Sequence, residues 1–323
     1  NTKSRGRSGL MELAKMQKLV FAAVSRNYFN MPVWIAEHRG MFADEGLDVV
    51  IELYEGVDEV TNRLRDGRAQ LAYGITEHVI LDSEAGGFLE IIGGNVNRLP
   101  FSFVTGKAIR TFEDLRGKTV GVSSLDAGSS SLVMKLLSAR GLEYPRDYKM
   151  RAVGPILARW ELLQSGEIDA GLQGAPLNYM AVDQGFPSLC EPRQEVPYFQ
   201  FTSLNADSRW AAANNAIVQP FMRAFVRAHQ WFFANRDAVT PIAMAETGIT
   251  ENYALRAWDE YTADEIFPRD GDANTAAVQA LIEISSLIRA VPHRVKSSAD
   301  DYINRDYLDA ARKQLEPMSA HKV

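Results

Sequence analysis

The chain has 323 residues, 46% hydrophobic and 24% charged, an ordinary globular composition long enough for about two domains. Its 35 basic and 41 acidic residues leave a formal net charge of -6, which excludes a global positive field for nucleic acid or anionic lipid, so any anion site must be local. Cys190 is the only cysteine, which excludes an intrachain disulfide and a cysteine-rich metal site.

Residues 1–17 open on the polar, basic "NTKSRGRSG" and read as a leader or vector remnant, since residue 1 is Asn. A removed secretory signal would leave no trace, whereas a native start at Met11 would point to the cytoplasm. The first apolar run, residues 19–24, is too short to span a bilayer and predicts a strand extending to Ser25. Pro32 in a first turn, with Trp34, Ile35 and His38 at helical spacing, predicts a helix ending near Gly40. A strand at 47–53, a helix at 57–65 stopped by Gly67, and strands at 70–73 and 89–92 follow.

A comparable order returns after residue 106: helix 112–115, strand 118–123, helix 129–140, strand 149–153, helix 156–164 and strand 167–172. The echo is literal. "RGMFADEGLDV" and "LRDGRAQLAYG" in the first unit parallel "LSARGLEY" and "LQSGEIDAGLQG" in the second. Alternating strands and helices of this kind specify an α/β fold of two similar lobes, each a mostly parallel sheet flanked by helices. Lobe one is expected to span 18–104 plus 204–320, with a helical tail beyond residue 207, and lobe two 105–203. Extended runs at 101–105 and 198–203 read as two crossing strands that form a hinge, with a ligand between the lobes at the carboxyl ends of the strands.

The candidate site residues lie at those strand ends. "GVSSLDAGSSS" runs from a strand into a helix. Ser124, Gly128, Ser129 and Ser130 would let an anion approach the unpaired amides there, or Ser129 simply caps the helix. In "SRNYFNMP", Ser25 and Asn27 offer hydrogen bonds and Tyr28 and Phe29 a stacking surface, unless the aromatics are core. "YGITEHV" brings Thr76, Glu77 and His78 toward the same mouth, with His78 read as a ligand contact or a structural histidine. Asn97 and Arg98 follow the next strand, where Arg98 would meet a ligand anion or a hinge carboxylate. Gln173 and Gly174 end the last strand of the second unit, before Pro176 opens a helix. No hydrolase, zinc-protease or dinucleotide motif is present, and "GKT" at 117–119 lacks the first glycine of a phosphate loop; no cofactor or metal is expected.

The segments "WIAEHRGMFADEGLDVVIE", "LRDGRAQLAYG", "FEDLRGKTVGV", "LLSARGL" and "LLQSGEIDAGL" resemble the solute-binding proteins of ABC importers, in the nitrate, taurine and alkanesulfonate group and the thiamine-pyrimidine-precursor (NMT1/THI5-like) group. The resemblance covers roughly residues 18–190. It implies a periplasmic-binding-protein fold of the second topological type, an extracytoplasmic monomer that closes on one small molecule and hands it to an ABC permease in the membrane. The ligands it implies are a small organic anion or a polar heterocycle: a sulfonate, carboxylate, aromatic acid or pyrimidine precursor. The family's ligand segments fall on 25–30, 74–77, 123–130 and 173–174. A fungal branch that makes the thiamine pyrimidine itself carries a cysteine-rich motif; here there is only Cys190. The rival expectation is an enzyme on the same fold, a decarboxylase or biosynthetic lyase, with His78 or Glu77 as acid or base.

Overall fold

The computed structural model describes residues 16–125, 129–285 and 298–316. Ten strands form two five-stranded sheets. In chain order they are β1 Gln17–Val24, β2 Leu47–Tyr54, β3 Leu71–Ile75, β4 Leu89–Val96, β5 Phe101–Thr105, β6 Thr119–Val122, β7 Lys149–Ala152, β8 Ala170–Gly174, β9 Ser188–Cys190 and β10 Thr202–Asp207. The first sheet runs β2-β1-β3-β10-β4 and the second β7-β6-β8-β5-β9. β1 is parallel to β2 and β3, and β6 is parallel to β7 and β8. Into each parallel set one strand from across the molecule is inserted antiparallel: β10 between β3 and β4, β5 between β8 and β9. The two units therefore share one topology, which is the structural counterpart of the echo in the letters.

The chain crosses twice between the sheets, as expected, with the crossings displaced by a few residues from the runs at 101–105 and 198–203. Residues 101–105 lie wholly inside the second sheet as β5, and 198–203 enter the first sheet only at their end, as the start of β10. The chain passes between lobes through two shorter segments, 97–100 and 196–201. These lie side by side: Phe201 N donates to the Val96 carbonyl at 3.0 Å, and Gln200 Nε2 donates to Asn97 Oδ1 at 2.7 Å. An extended, β-rich run looks alike whether it crosses between sheets or enters one, because backbone pairing rather than side-chain pattern decides between them. The expected helix at 112–115 is a single 3-10 turn, Glu113–Leu115.

Beyond β10 the described chain is helical, and it packs on the first sheet. The helix Asn215–Ala234 carries Phe221 and Phe225 on its buried face, four residues apart as an apolar stripe requires. Phe221 stacks on Phe21 of β1 at 5.8 Å and on Phe42 at 5.3 Å, while Phe225 meets Tyr73 of β3 at 6.3 Å. Gly271 lies under Phe225 with φ of +86°; a Cβ there would sit 2.4 Å from the ring, so both the backbone and the space demand glycine. Among the described residues no helix is long and apolar enough to cross a membrane. Replacing Phe221 with Ala removes the ring that joins tail and sheet and should cost about 3–5 kcal/mol of stability. A denaturation midpoint close to wild type would show that the tail is not part of the first lobe's core.

Candidate functional site

The parallel strands of both sheets direct their carboxyl ends at the seam between the lobes, and two adjoining cavities lie there. The inner one, about 40 Å³, is walled by Val24, Asn27, Phe29, Val57, Ile75 and Thr202 from lobe one, Phe201 from the hinge, and Ser123, Pro155, Ile156 and Arg159 from lobe two. The outer one, about 290 Å³, shares Asn27 and Ile156 with it and extends between Ser25, Leu177, Met180, Ile249 and Tyr253.

Arg159 is the side chain that sets the inner cavity's chemistry. It sits on the helix Ile156–Ser165, whose buried face is Ile156, Arg159, Trp160 and Leu163, so an arginine occupies the apolar stripe. Its stem lies across two glycines of the second sheet: a Cβ at Gly121 would come 3.6 Å from Arg159 Cγ, and one at Gly171 3.7 Å from Cδ. Only 2% of the residue is exposed, yet Nε and Nη1 have no hydrogen-bond partner. Burial lowers the guanidinium pKa to about 10, which still leaves it charged at neutral pH. No Asp or Glu is among the described walls of the inner cavity. A buried cation without a counter-charge is costly, and an anion in the cavity would supply both the charge and the acceptors.

Gln173 orders the helix that carries this arginine. With its amide turned to suit both neighbours, the nitrogen donates to the Ile156 carbonyl at 3.1 Å and the oxygen accepts from Trp160 N at 3.2 Å. Two aromatics of the wall, Phe29 and Phe201, meet at 6.1 Å, and Phe101 backs them, 5.0 Å edge-on from Phe201 and 6.0 Å from Phe29.

A family model described as NMT1/THI5 like matches residues 27–239. The chain belongs to the NMT1/THI5-like family. One curated relative, the 4-amino-5-hydroxymethyl-2-methylpyrimidine phosphate synthase of Schizosaccharomyces pombe, is 26% identical over 179 residues, or 54% of this chain; the chain spans half the length of that relative. Two solved structures share the two-lobed periplasmic-binding-protein fold. The periplasmic nitrate-binding protein NrtA from Synechocystis PCC 6803 has a TM-score of 0.77 at 14% identity, covering 94% of this chain and 90% of its own. The alkanesulfonate-binding protein SsuA from Xanthomonas axonopodis pv. citri, bound to MOPS, has a TM-score of 0.72 at 17% identity, covering 90% and 99%.

Of the candidates read from the sequence of this NMT1/THI5-like chain, Ser25, Asn27 and Phe29 line the cavities. Ser25 turns the chain at the end of β1 with φ of +53°, held by Asn30 Nδ2 on its carbonyl at 2.7 Å. Asn27 is spent on the turn: Oδ1 accepts from Phe29 N and Nδ2 donates to the Val24 carbonyl. Tyr28 points away from the cavity, into a core of Tyr261, Phe267 and Phe232, since successive residues of the 3-10 turn Tyr28–Asn30 lie about 120° apart. Thr76 donates to Ser203 Oγ inside lobe one. His78 is buried against Thr61, 2.6 Å from Nδ1, and Asp58, 3.5 Å from Nε2; neither it nor Glu77 lines either cavity.

Asn97 bonds the Asp272 carbonyl, and Arg98 lies over the Tyr198 ring, so both serve the hinge region. Ser129 exchanges hydrogen bonds with Ser123, amide to hydroxyl at 2.9 Å in each direction, which closes the loop between β6 and its helix. That first-turn amide is therefore occupied. Ser124 is partly exposed and Ser130 buried, Gly174 packs under Phe101, and Gly128 lies outside the described residues. Arg159, absent from the candidates, had one signal in the sequence: a charge at the buried phase of a helical stripe.

The lobes also meet beside the outer cavity. Tyr179, on the lobe-two helix Leu177–Asp183, donates to Glu260 on the tail helix Glu251–Ala263, and Tyr253 donates to Asp183 at 2.7 Å. Burial raises the Glu260 pKa. Folding thus favours its protonated form, so its contribution is fully present below the ordinary carboxylate pKa and is lost as pH rises through the raised value. Glu260→Gln should flatten this part of the stability profile above the ordinary carboxylate pKa, and a wild-type-to-variant difference that is constant with pH would place Glu260 at its ordinary value. Arg159→Met keeps volume and removes an unpaired buried charge; it should raise the stability of the unliganded protein by about 1–3 kcal/mol, read as a higher melting temperature.

Proposed function

We propose that this chain is an extracytoplasmic receptor that closes its lobes on a small organic anion for delivery to an ABC permease. The observation that carries the reading is the buried, unpartnered guanidinium of Arg159 facing a cavity at the lobe seam. In this reading the anion binds Arg159 from lobe two while Asn27 and Phe29 of lobe one cover it, so one ligand touches both lobes and favours the closed pair. A permease that reads the closed form then distinguishes loaded from empty receptor. The fold neighbours, a nitrate-binding and an alkanesulfonate-binding protein, are named for anions. The nitrate-binding neighbour is described as periplasmic, which supports a periplasmic or extracytoplasmic location.

A second reading, an enzyme of thiamine-pyrimidine chemistry, is favoured by the sequence relative, a pyrimidine phosphate synthase. Against it weigh the single cysteine, where the fungal branch has a cysteine-rich motif, and the positions of His78 and Glu77 away from the cavities. Arginine, the ionisable wall residue of the inner cavity, holds charge at neutral pH and is a poor proton carrier.

The deciding experiment is a thermal-shift screen of aliphatic sulfonates, aromatic carboxylates, nitrate and thiamine-pyrimidine precursors, with product analysis. A ligand at roughly 100 times its Kd should stabilise the protein by about 2.7 kcal/mol. The stabilisation should vanish in Arg159→Met with no product formed. Turnover of any compound would establish the enzyme, and an anion that protects Arg159→Met as well as wild type would remove Arg159 from the site.

A further inference from the structure

The inner cavity, about 40 Å³, has room for a head group and little more, whereas the outer chamber beside it measures about 290 Å³. A water needs roughly 10–15 Å³ on such a scale, so the inner space suits one carboxylate- or sulfonate-sized group. The two spaces adjoin through Asn27 and Ile156, and Ile156 lies one helical turn from Arg159. An anion on the guanidinium therefore has a roomy direction in which to extend its body.

That direction is apolar and made by both lobes. Leu157, Leu177 and Met180 come from lobe two, Ile249 and Tyr253 from the tail. The Tyr253 hydroxyl is turned onto Asp183, leaving its ring as wall. One charged side chain, Arg26, is among the described walls, and Glu246 pairs with it at 2.9 Å; Glu246 also meets His38 at 2.6 Å. A second negative charge on the ligand would thus meet a cation already neutralised.

We infer that the ligand is a monoanion with an apolar body of about five to ten heavy atoms, its charge on Arg159 and its body in the outer chamber. This rests on the anion reading above and adds the chemistry of the remainder of the molecule. It sets the chain apart from receptors for inorganic anions, for which the outer chamber would be superfluous, and from binders of dicarboxylates or phosphate monoesters.

Calorimetric titration with acetate, hexanoate, 3-phenylpropanoate and adipate tests the assignment. Each buried methylene contributes about fourfold in affinity, so hexanoate should bind roughly 100-fold or more tighter than acetate. 3-Phenylpropanoate should bind comparably to hexanoate. Adipate, which has the same chain length with a second carboxylate, should bind at least about tenfold more weakly than hexanoate. Met180→Glu, at a partly buried position of the chamber wall, should reduce the advantage of hexanoate over acetate to a few-fold, whereas Met180→Leu should keep it. Equal affinities for acetate and hexanoate, or adipate binding as tightly as hexanoate, would overturn the apolar-body assignment while leaving the anion site standing. Failure of all four to bind wild type, or equal binding to Arg159→Met, would overturn the anion site and this inference with it.

Discussion

A guanidinium held inside the protein without a counter-charge is the constraint around which the seam is organised. Burying an isolated charge is among the least favourable things a fold can do, and it persists only where the surrounding structure over-determines it. Here the determination is visible. The Arg159 stem packs over Gly121 and Gly171 of the sheet, Gln173 fixes the first turn of its helix, and Trp160 and Leu163 anchor the same face in the core. The helix cannot rotate the arginine to solvent without exposing those two apolar side chains. The charge stays inside because its neighbours gain more from burial than it loses.

The same economy explains the division of the interface. Lobe two carries the charge and lobe one the aromatic and amide cover, so neither half alone forms the cavity. The segments 97–100 and 196–201 are the covalent links between them, and their cross-bonds, Phe201 to Val96 and Gln200 to Asn97, keep the two passages moving as one. Arg193 ties lobe two to this hinge and to the tail at once, donating to the Leu99 carbonyl at 2.6 Å and pairing with Asp264 at 2.9 Å. The same cluster includes Glu260, which Arg193 meets at 3.3 Å and to which Tyr179 of lobe two donates, so the lobes are joined there by side chains outside both sheets.

The fold was largely legible in the letters because its determinants are periodic. The helix at 57–65 matches its prediction at both ends, and the repeated strand order follows from a repeated pattern. The two crossings are legible in the sequence but their bounds are not, because strand pairing is not a local property: residues 101–105 are equally β-rich as a crossing or as the antiparallel strand they form. The site was legible at the level of segments and poorly at the level of atoms. Residues 25–29 do reach the seam, yet within four residues the chain sends Phe29 into the cavity and Tyr28 into the core, a choice made by the left-handed turn at Ser25. The hydroxyl-rich "GVSSLDAGSSS" drew the eye to a helix N-terminus, but Ser123 and Ser129 satisfy one another there.

Arg159 shows what kind of signal that reading passed over. Glycine, serine and aromatic residues at strand ends are frequent in any α/β protein, so their presence at a junction discriminates weakly between a ligand site and a well-made turn. A charge at the buried phase of an amphipathic helix is rare, because it contradicts the pattern that makes the helix fold. Such a contradiction survives only if something outside the helix compensates it. Within the sequence the compensation was half visible, in the glycines of "VGV" and "AGL" that face the helix. The other half is not among the described residues: Nε and Nη1 of Arg159 have no acceptor, and the residue lines a cavity to which both lobes contribute.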